Sequence, residues 1–599
     1  MRRAIAPRRL VRQRPIRFRL LLVWGVLAFG ILGLAVNLFR LQILEAPTLQ
    51  ARALAQQTRY VAPRLPRRPI LDSRGDVLAI DQPVYTLYAH PTLFKQPAQA
   101  IAPQVAPIIK QQPQAVYQAL NSAESGIELA YSVSEDAADR LRALQIDGLE
   151  LIEREQRLYP QQDLLAQIVG YVNADRQPQA GVEFSQRQAL ERPMRERGRY
   201  LNQRGNGALL PNNVPRTFFQ QDNLSLKLTV DSALQRIVRD ALRKSMQQFN
   251  AKRGAVVVMD VHSGAIRSLI SEPSYDPNQY FLHDPEQMRN WPVADTMEPG
   301  STFKPINVAI ALESGAVSAT DSFNDDGQIM VGPWPIENSD YSYAGARGVQ
   351  SVTEIVQHSS NVGMVRMMQR LTAQDYYTWL EKIGLGQTSG IDLPFESPSY
   401  IKSQDQFLND PVEAATTAFG QGFTINAMQL VQLHSAIANG GYLVTPHLVD
   451  GLYDATGDRY WQPSRPEQQR IFSADTTQAV LSMMEAAVED GTGTSAQIDG
   501  YRIAGKTGTA QKASDQGGYL DNARITSFVS LFPSDSPRYA ILVVVDEPQG
   551  ADAYGSTVAA PVSRVVMEVL AATDGISPTL PLSDSGSEAN ADAEASETF

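Results

Sequence analysis

Leu20 to Phe39 is a run of twenty residues with one clearly polar side chain, Asn37. At about 1.5 Å per residue, a helix of that length covers roughly the 30 Å hydrocarbon core of a bilayer. The 19 residues before it carry eight arginines and no acid. Such a positive flank stays in the cytoplasm. The sequence therefore predicts a basic cytoplasmic tail over 1–19, one membrane anchor over 20–40, and a body held outside the inner face. A cleaved signal peptide is the competing reading. The run is longer than such a segment needs, and no small-x-small cleavage site follows it directly.

The body has ordinary globular composition. The 599 residues are 43% hydrophobic and 20% charged, enough chain for more than one core. A net charge of -11 argues against a general nucleic-acid binder. With no cysteine, disulfides, thiolate catalysis and cysteine-ligated metal are excluded. The six histidines show no His-Glu-x-x-His pattern, so a zinc hydrolase has no support.

Residues 41–223 read as one region, rich in Gln, Arg and Pro, with short strand-like pieces such as Val84 to Tyr88. A change comes at Leu224 to Val230, an alternating run that predicts a strand. Asp231 then caps a helix through about Phe249. Ala255 to Asp260 and Ala265 to Ser271 flank His262-Ser263-Gly264 as a hairpin. Further strands are predicted at Arg502 to Ala510, Ile525 to Leu531 and Tyr539 to Asp546, with a helix at Ala560 to Ala572. Between about 300 and 500 the pattern is helical, as in Ala427 to Ala438 closed by Asn439-Gly440-Gly441. The expectation is α+β over 224–575: strands from both ends form one mainly antiparallel sheet, with a helical lobe inserted between them. Ser577 to Phe599 carries five acids and no base and is expected to be a disordered tail.

Three short motifs stand in order: Ser301-Thr-Phe-Lys304, Ser359-Ser-Asn361 and Lys506-Thr507-Gly508. Each alone is weak. Pro299-Gly300 breaks the chain before Ser301, so a helix starting near Ser301 is expected, with Pro305 in its first turn. Residues three apart share a helix face, which brings Lys304 within reach of the Ser301 hydroxyl. Ser359 would lend a hydroxyl to proton transfer and Asn361 an amide to binding. Lys506 offers a cation and Thr507 and Thr509 hydroxyls, while Gly505 and Gly508 allow close approach of another backbone. Together these are the parts of an active-site serine that holds an acyl group. The bland alternatives are a serine cap, a polar turn and a solvated edge strand.

Two other matches compete. Ser399-Tyr-Ile-Lys402 repeats the Ser-x-x-Lys spacing, but the polar run after it supplies no apolar helix face. Gly500 to Thr507 satisfies Gly-x4-Gly-Lys-[Ser/Thr], the phosphate loop. That loop needs a helix after the Thr, and Gly508, Gly517 and Gly518 are poor for one.

Extended to Glu298–Pro305, Ser359–Gly363 and Gly505–Ala510, with motif starts 58 and 147 residues apart, the three motifs resemble those of the penicillin-binding proteins. Arg68 to Asp72, Gly75 to Ala79, Arg157 to Pro160 and Gly181 to Glu183 are similar to the pedestal of the class B members, so the resemblance covers nearly the whole chain. Lys512 through Tyr519 and Tyr554 to Pro561 look most like the division-specific members, with the elongation members the close rival. Arg68 departs from the family's usual Gly, and Ser73-Arg74 from its Arg-Asn.

The resemblance implies a β-lactamase-like transpeptidase domain on an elongated pedestal, anchored in the cell inner membrane with its bulk in the periplasm. Ser301 would attack the carbonyl between the terminal D-alanines of a peptidoglycan stem peptide. Lys304 would take the proton; a lysine starts near 10.4, so burial and a neighbouring cation such as Lys506 must make it neutral. Ser359 would relay the proton to the leaving amine, and Asn361 would bind substrate. Backbone N–H groups of Ser301 and Thr509 would form the oxyanion hole, while Lys506, Thr507, Gly508 and Thr509 would line the site for the terminal carboxylate. β-Lactams would acylate Ser301. No metal or organic cofactor is implied. Partners by resemblance are a membrane glycosyltransferase of the FtsW type and other division proteins. A β-lactamase, a non-enzymatic septal scaffold and a phosphate-loop protein remain as alternatives.

Overall fold

The computed structural model describes residues 16–49, 52, 58–60, 66–192, 200–202, 222–513 and 518–582. Most of the expected acidic tail lies outside these residues. The chain divides into two compact units, 1–65 with 192–222, and 66–191 with 223–599.

The first unit holds helix α1, Ile16–Phe39, continued by a π-helical turn over Arg40–Leu44. The helix starts four residues before the apolar run, because Ile16 to Arg19 simply extend its first turn. Its side chains are exposed, Phe29 at 79% and Leu32 at 61%, so no protein core explains its apolarity. It is long and apolar enough to cross a membrane. Thr58–Tyr60 and Tyr200–Asn202 pair antiparallel in the same unit.

In the second unit, β1 (Val77–Ala89) pairs antiparallel with both β2 (Ile127–Val133) and β3 (Leu149–Leu158). Buried charge marks this N-terminal module. Arg157 donates to Glu183 at 2.6 Å and to Asp81 at 3.1 Å, and Arg67 donates to Glu183 at 3.0 Å. Burial alone would lower Arg157, but the carboxylates of Glu183 and Asp81 overturn that and hold it above its usual value.

Asp231 caps α2 (Ser232–Gln248), its carboxylate accepting from the N–H groups of Ala233 and Leu234. The strand before it, Ser225–Leu228, does not join the main sheet. It lies between Ile70–Leu71 and Val449–Tyr453, where Leu226 and Leu228 are fully buried. The alternation of this strand was legible in the sequence, but its partners lie far from it in the chain, one before it and one after.

The main sheet is five-stranded and wholly antiparallel. Its strands are β4 (Arg253–Asp260), β5 (Ile266–Glu272), β6 (Ala504–Ala513), β7 (Tyr519–Phe532) and β8 (Tyr539–Asp546), in the order β6-β7-β8-β4-β5. Between β5 and β6 the chain builds the helical lobe: α3 (Lys304–Glu313), α4 (Val352–Gln357), α5 (Asn361–Met368), α6 (Ala427–Ala438) and α7 (Ala474–Glu489), with small hairpins. One sheet face turns Val256, Val258, Ile541 and Val543 toward α2 and the last helix, α8 (Ala560–Asp574). The opposite face turns Val257, Met259, Leu542 and Val544 toward the lobe, with α6 fully buried against it. Every residue of β8 is buried, as a central strand covered on both faces requires.

The first residues of the expected tail are held in place. Thr579 and Leu580 donate their N–H groups to the Gly500 carbonyl at 2.9 and 3.0 Å. Gly500, at φ +82°, permits this approach: a Cβ there would sit 2.7 Å from Leu582.

Candidate active site

Gly300–Phe303 forms a 3₁₀ turn, and α3 begins only at Lys304. This differs from an α-helix starting at Ser301, and Pro305 is the reason. It has no N–H to donate to the Ser301 carbonyl, so Lys304 donates to it instead at the tighter i+3 spacing. The turn is clamped from below. Gly300 donates to the Gly420 carbonyl at 2.9 Å, and a Cβ on Gly420 would overlap the Gly300 oxygen at 2.0 Å. His434, fully buried on α6, lies with Nε2 2.8 Å from the Thr302 carbonyl. A carbonyl can only accept, so Nε2 carries the proton. Burial lowers this histidine to about 4, so it is neutral at pH 7.

Lys304 is fully buried. Its Nζ lies 2.5 Å from the Ser359 carbonyl, 2.7 Å from Asn361 Oδ1 and 3.2 Å from Ser359 Oγ. Lys304 thus reaches across to the second motif. The Ser301 hydroxyl makes no hydrogen bond among the described residues, which corrects the expected Ser301–Lys304 contact. Burial and then the positive charge of Lys506 push Lys304 well below a lysine's usual pKa, while Asp340 and Asp325 pull the other way. A neutral amine has two N–H groups and one lone pair. The carbonyl and amide oxygens take the N–H groups, which leaves the lone pair for a hydroxyl.

The second motif is held by residues that sequence reasoning did not single out. Ser360 caps α5 by accepting from Gly363 N–H, and donates to Asp325 at 2.7 Å. Asn338 Oδ1 accepts from the N–H groups of Asn361 and Val362, and its amide donates to both oxygens of buried Asp325 at 2.8 Å. Asn361 Nδ2 donates to the Glu337 carbonyl at 2.8 Å, which turns its Oδ1 toward Lys304. Ser359, at φ +60°, sits in the left-handed region that a non-glycine residue occupies only under constraint. Asp325 and Asn338 lie on small hairpins with no periodic signal, so nothing in the sequence pointed to them.

The third motif lies on β6, the edge strand of the sheet. Gly508 allows the close approach expected of it: a Cβ there would sit 3.2 Å from the Pro299 carbonyl and 2.9 Å from Thr302. At Gly505 a Cβ would overlap the Phe528 ring at 2.6 Å and sit 3.2 Å from the Val529 carbonyl. Lys506 is fully buried, donates to the Thr507 carbonyl at 3.2 Å, and is lowered by burial to about 7. Thr507 donates to Thr492, a residue sequence reasoning missed, at 2.8 Å. Thr509 is exposed, and its Oγ1 accepts from Gly555 N–H at 3.2 Å.

The competing motifs separate from this site. Ser399 Oγ accepts from Gly386 N–H, and Lys402 pairs with Glu413. Lys506 and Thr507 continue into a strand rather than a helix, which removes the phosphate-loop geometry. Among the described residues no group of three or more metal-ligating side chains comes together.

A serine on a clamped turn, a buried lysine beside a strained serine, and a second buried lysine on an edge strand define a class of acyl-serine enzymes. The family described as penicillin binding protein transpeptidase domain matches residues 254–568, and the penicillin-binding protein dimerisation domain matches 64–199. The chain belongs to the class B penicillin-binding proteins. It is 38% identical over 581 residues to the peptidoglycan D,D-transpeptidase FtsI homolog of Mesostigma viride, covering 94% of this chain and 97% of the relative. A peptidoglycan synthetase from Bifidobacterium adolescentis has a similar structure, with TM-score 0.65 and 25% identity over 87% of this chain and 97% of that one. Penicillin binding protein 3 from Mycobacterium tuberculosis, solved with aztreonam, matches in fold at TM-score 0.64 and 24% identity, over 87% of this chain and 98% of that one.

Proposed function

We propose that the chain is a peptidoglycan D,D-transpeptidase of the division septum, working through an acyl-serine intermediate. The observation that carries this reading is Lys304: a lysine buried without a carboxylate partner among the described residues, three residues from Ser301 and bonded to Ser359 and Asn361.

Ser301 Oγ attacks the carbonyl between the two terminal D-alanines, and its proton passes to the lone pair of Lys304. The new C–O bond forms as the carbonyl π pair moves onto oxygen, and the C–N bond breaks when that oxyanion collapses. Ser359, 3.2 Å from Lys304 Nζ, returns the proton to the departing D-alanine amine. The N–H groups of Ser301 and Thr509 face the developing oxyanion, where one donor is worth about 3 kcal/mol. Lys506, charged below about 7, holds the terminal carboxylate with Thr507 and Thr509. The amine of a second stem then attacks the acyl carbon, forming the cross-link and freeing Ser301. Water in its place gives carboxypeptidase activity. β-Lactams enter as analogues of the D-alanine pair and remain on Ser301.

The arginine-rich tail before α1 supports a cytoplasmic N-terminus, with the catalytic unit in the periplasm of an inner membrane. A membrane glycosyltransferase and other division proteins are the partners this topology suits. Domain boundaries at 40, 223 and 575 follow the same reading.

Intact mass after incubation with benzylpenicillin, followed by peptide mapping, tests the proposal. One stable adduct on Ser301 is expected, and none in Ser301→Ala. A folded protein without an adduct contradicts it, and rapid penicillin loss without an adduct makes the chain a β-lactamase.

A further inference from the structure

His434 lies midway along α6, a helix whose residues are all buried. Two other polar side chains of that helix tie it to the surrounding lobe. Gln429 donates to the Gly384 carbonyl at 2.6 Å, and Gln432 donates to the carbonyls of Ser389 and Val444 at 3.2 and 2.9 Å. His434 bonds the nucleophile turn instead. Its Nε2 donates to the Thr302 carbonyl at 2.8 Å, and its Nδ1 has no hydrogen-bond partner among the described residues. A buried ring nitrogen without a partner costs stability, and an apolar side chain of similar size would carry no such atom. Packing alone therefore does not call for a histidine here. The bond to Thr302 does.

Thr302 stands between Ser301 and Lys304 in the 3₁₀ turn Gly300–Phe303. A peptide unit is planar, so fixing the Thr302 carbonyl fixes the whole unit that joins Thr302 to Phe303. That unit lies on the short path of chain that sets the serine against the lysine. A 3₁₀ turn closes with poorer hydrogen-bond geometry than an α-helix, so it gains from a donor outside itself. The two ends of the turn have their own supports. Gly300 donates to the Gly420 carbonyl at 2.9 Å, and the Phe303 ring packs edge-on against Phe423, with centroids 4.8 Å apart. His434 holds the middle.

Asn307, one turn further along α3, makes the contrast clear. Its amide donates to the carbonyls of Thr417 and Ala418 at 2.8 and 2.9 Å and accepts from the Tyr376 hydroxyl at 2.9 Å. That group is fully satisfied and joins three segments of the lobe. His434 uses one atom, and joins α6 to the turn that carries the nucleophile.

We propose that His434 is a positioning residue for acyl transfer: its Nε2–H, acting through the Thr302 carbonyl, holds Ser301 in place against Lys304. The proposal rests on the transpeptidase reading. His434 touches neither substrate nor the reacting atoms, and its effect falls on the rate at which Ser301 is acylated.

The test compares three variants of the full chain in detergent. His434→Gln carries an amide N–H that reaches as far as Nε2, the amide of His434→Asn stops one bond short, and His434→Leu has no donor. The readout is the rate of benzylpenicillin acylation per folded molecule, followed by intact mass, with a melting temperature for each protein. His434→Leu and His434→Asn are expected to acylate about tenfold more slowly than the wild type, and His434→Gln to recover most of that loss. A purely structural role would make the rates follow the melting temperatures instead, and that outcome overturns the proposal. So does wild-type acylation in His434→Leu. If His434→Leu does not fold, the other pair decides: His434→Gln no faster than His434→Asn overturns the proposal. A His434→Gln that does not fold overturns it too, because the site then requires the imidazole ring and not its N–H. Absence of acylation in the wild type removes the transpeptidase reading itself.

Discussion

The N-terminal module and the catalytic cleft both bury charge, and they do so in opposite ways. In the module, Arg157 and Arg67 converge on Glu183, with Asp81 beside Arg157, so each of these four buried charges has an opposite neighbour. In the cleft, Lys304 and Lys506 are buried completely with no carboxylate within ion-pair distance among the described residues. The first arrangement holds its groups charged and fixes two segments far apart in sequence. The second penalises charge and leaves an amine able to accept a proton at neutral pH. Pairing makes buried charge structural; withholding the partner makes it reactive.

This contrast can be broken most severely at Lys304. Lys304→Met is expected to slow acylation by benzylpenicillin about 10³-fold, measured by intact mass over time, while the protein stays folded. The opposite outcome is expected in the module. Glu183→Gln leaves two buried arginines short of their partner and should cost about 3–5 kcal/mol of stability. A thermal melt reads the loss, and acylation per folded molecule is the accompanying control.

Lys506 sharpens the comparison. Its pKa of about 7, against an ordinary value of 10.5, means that folding disfavours its charged form. An unfolded chain therefore binds the proton more tightly, and stability rises with pH from about 7 to 10.5 through this group. Lys506→Met removes the penalty and is expected to raise the melting temperature at pH 6 by a few °C. The same change weakens capture of the penicillin carboxylate. The smallest effect is expected at Asn338. Asn338→Ala loosens the turn bearing Ser359 and Asn361, for a loss of about tenfold in acylation, read against an unchanged fold by circular dichroism.

Regular structure was legible in the sequence wherever one pattern fixed it. Ala427 to Ala438 and Tyr539 to Asp546 occupy the residues their apolar patterns indicate, and Asp231 caps its helix as its side chain allows. The three motifs were legible because each is contiguous. What joins them was not. The bond from Lys304 to Ser359 spans 55 residues, and the Asp325–Asn338–Ser360 cluster gathers three separate segments. Thr492, behind Thr507, follows a helix with no motif of its own. The 3₁₀ turn at Ser301 was readable in principle, since Pro305 cannot close an α-helical bond to it, but spacing alone favoured a shared helix face. Such contacts follow from how the lobe packs on the sheet, and local pattern carries no record of that.

The most direct test of unpaired burial as the source of reactivity is the pH dependence of Ser301 acylation by benzylpenicillin, from pH 5 to 10. A lowered Lys304 must be neutral to accept the serine proton, so the rate falls on the acid side as that amine protonates. Lys506 must be charged to hold the carboxylate, so the rate also falls as pH rises through about 7. A bell is predicted, its alkaline limb falling near pH 7 and its top lying below that. A rate that keeps climbing toward pH 10, where an ordinary lysine loses its proton, would contradict it.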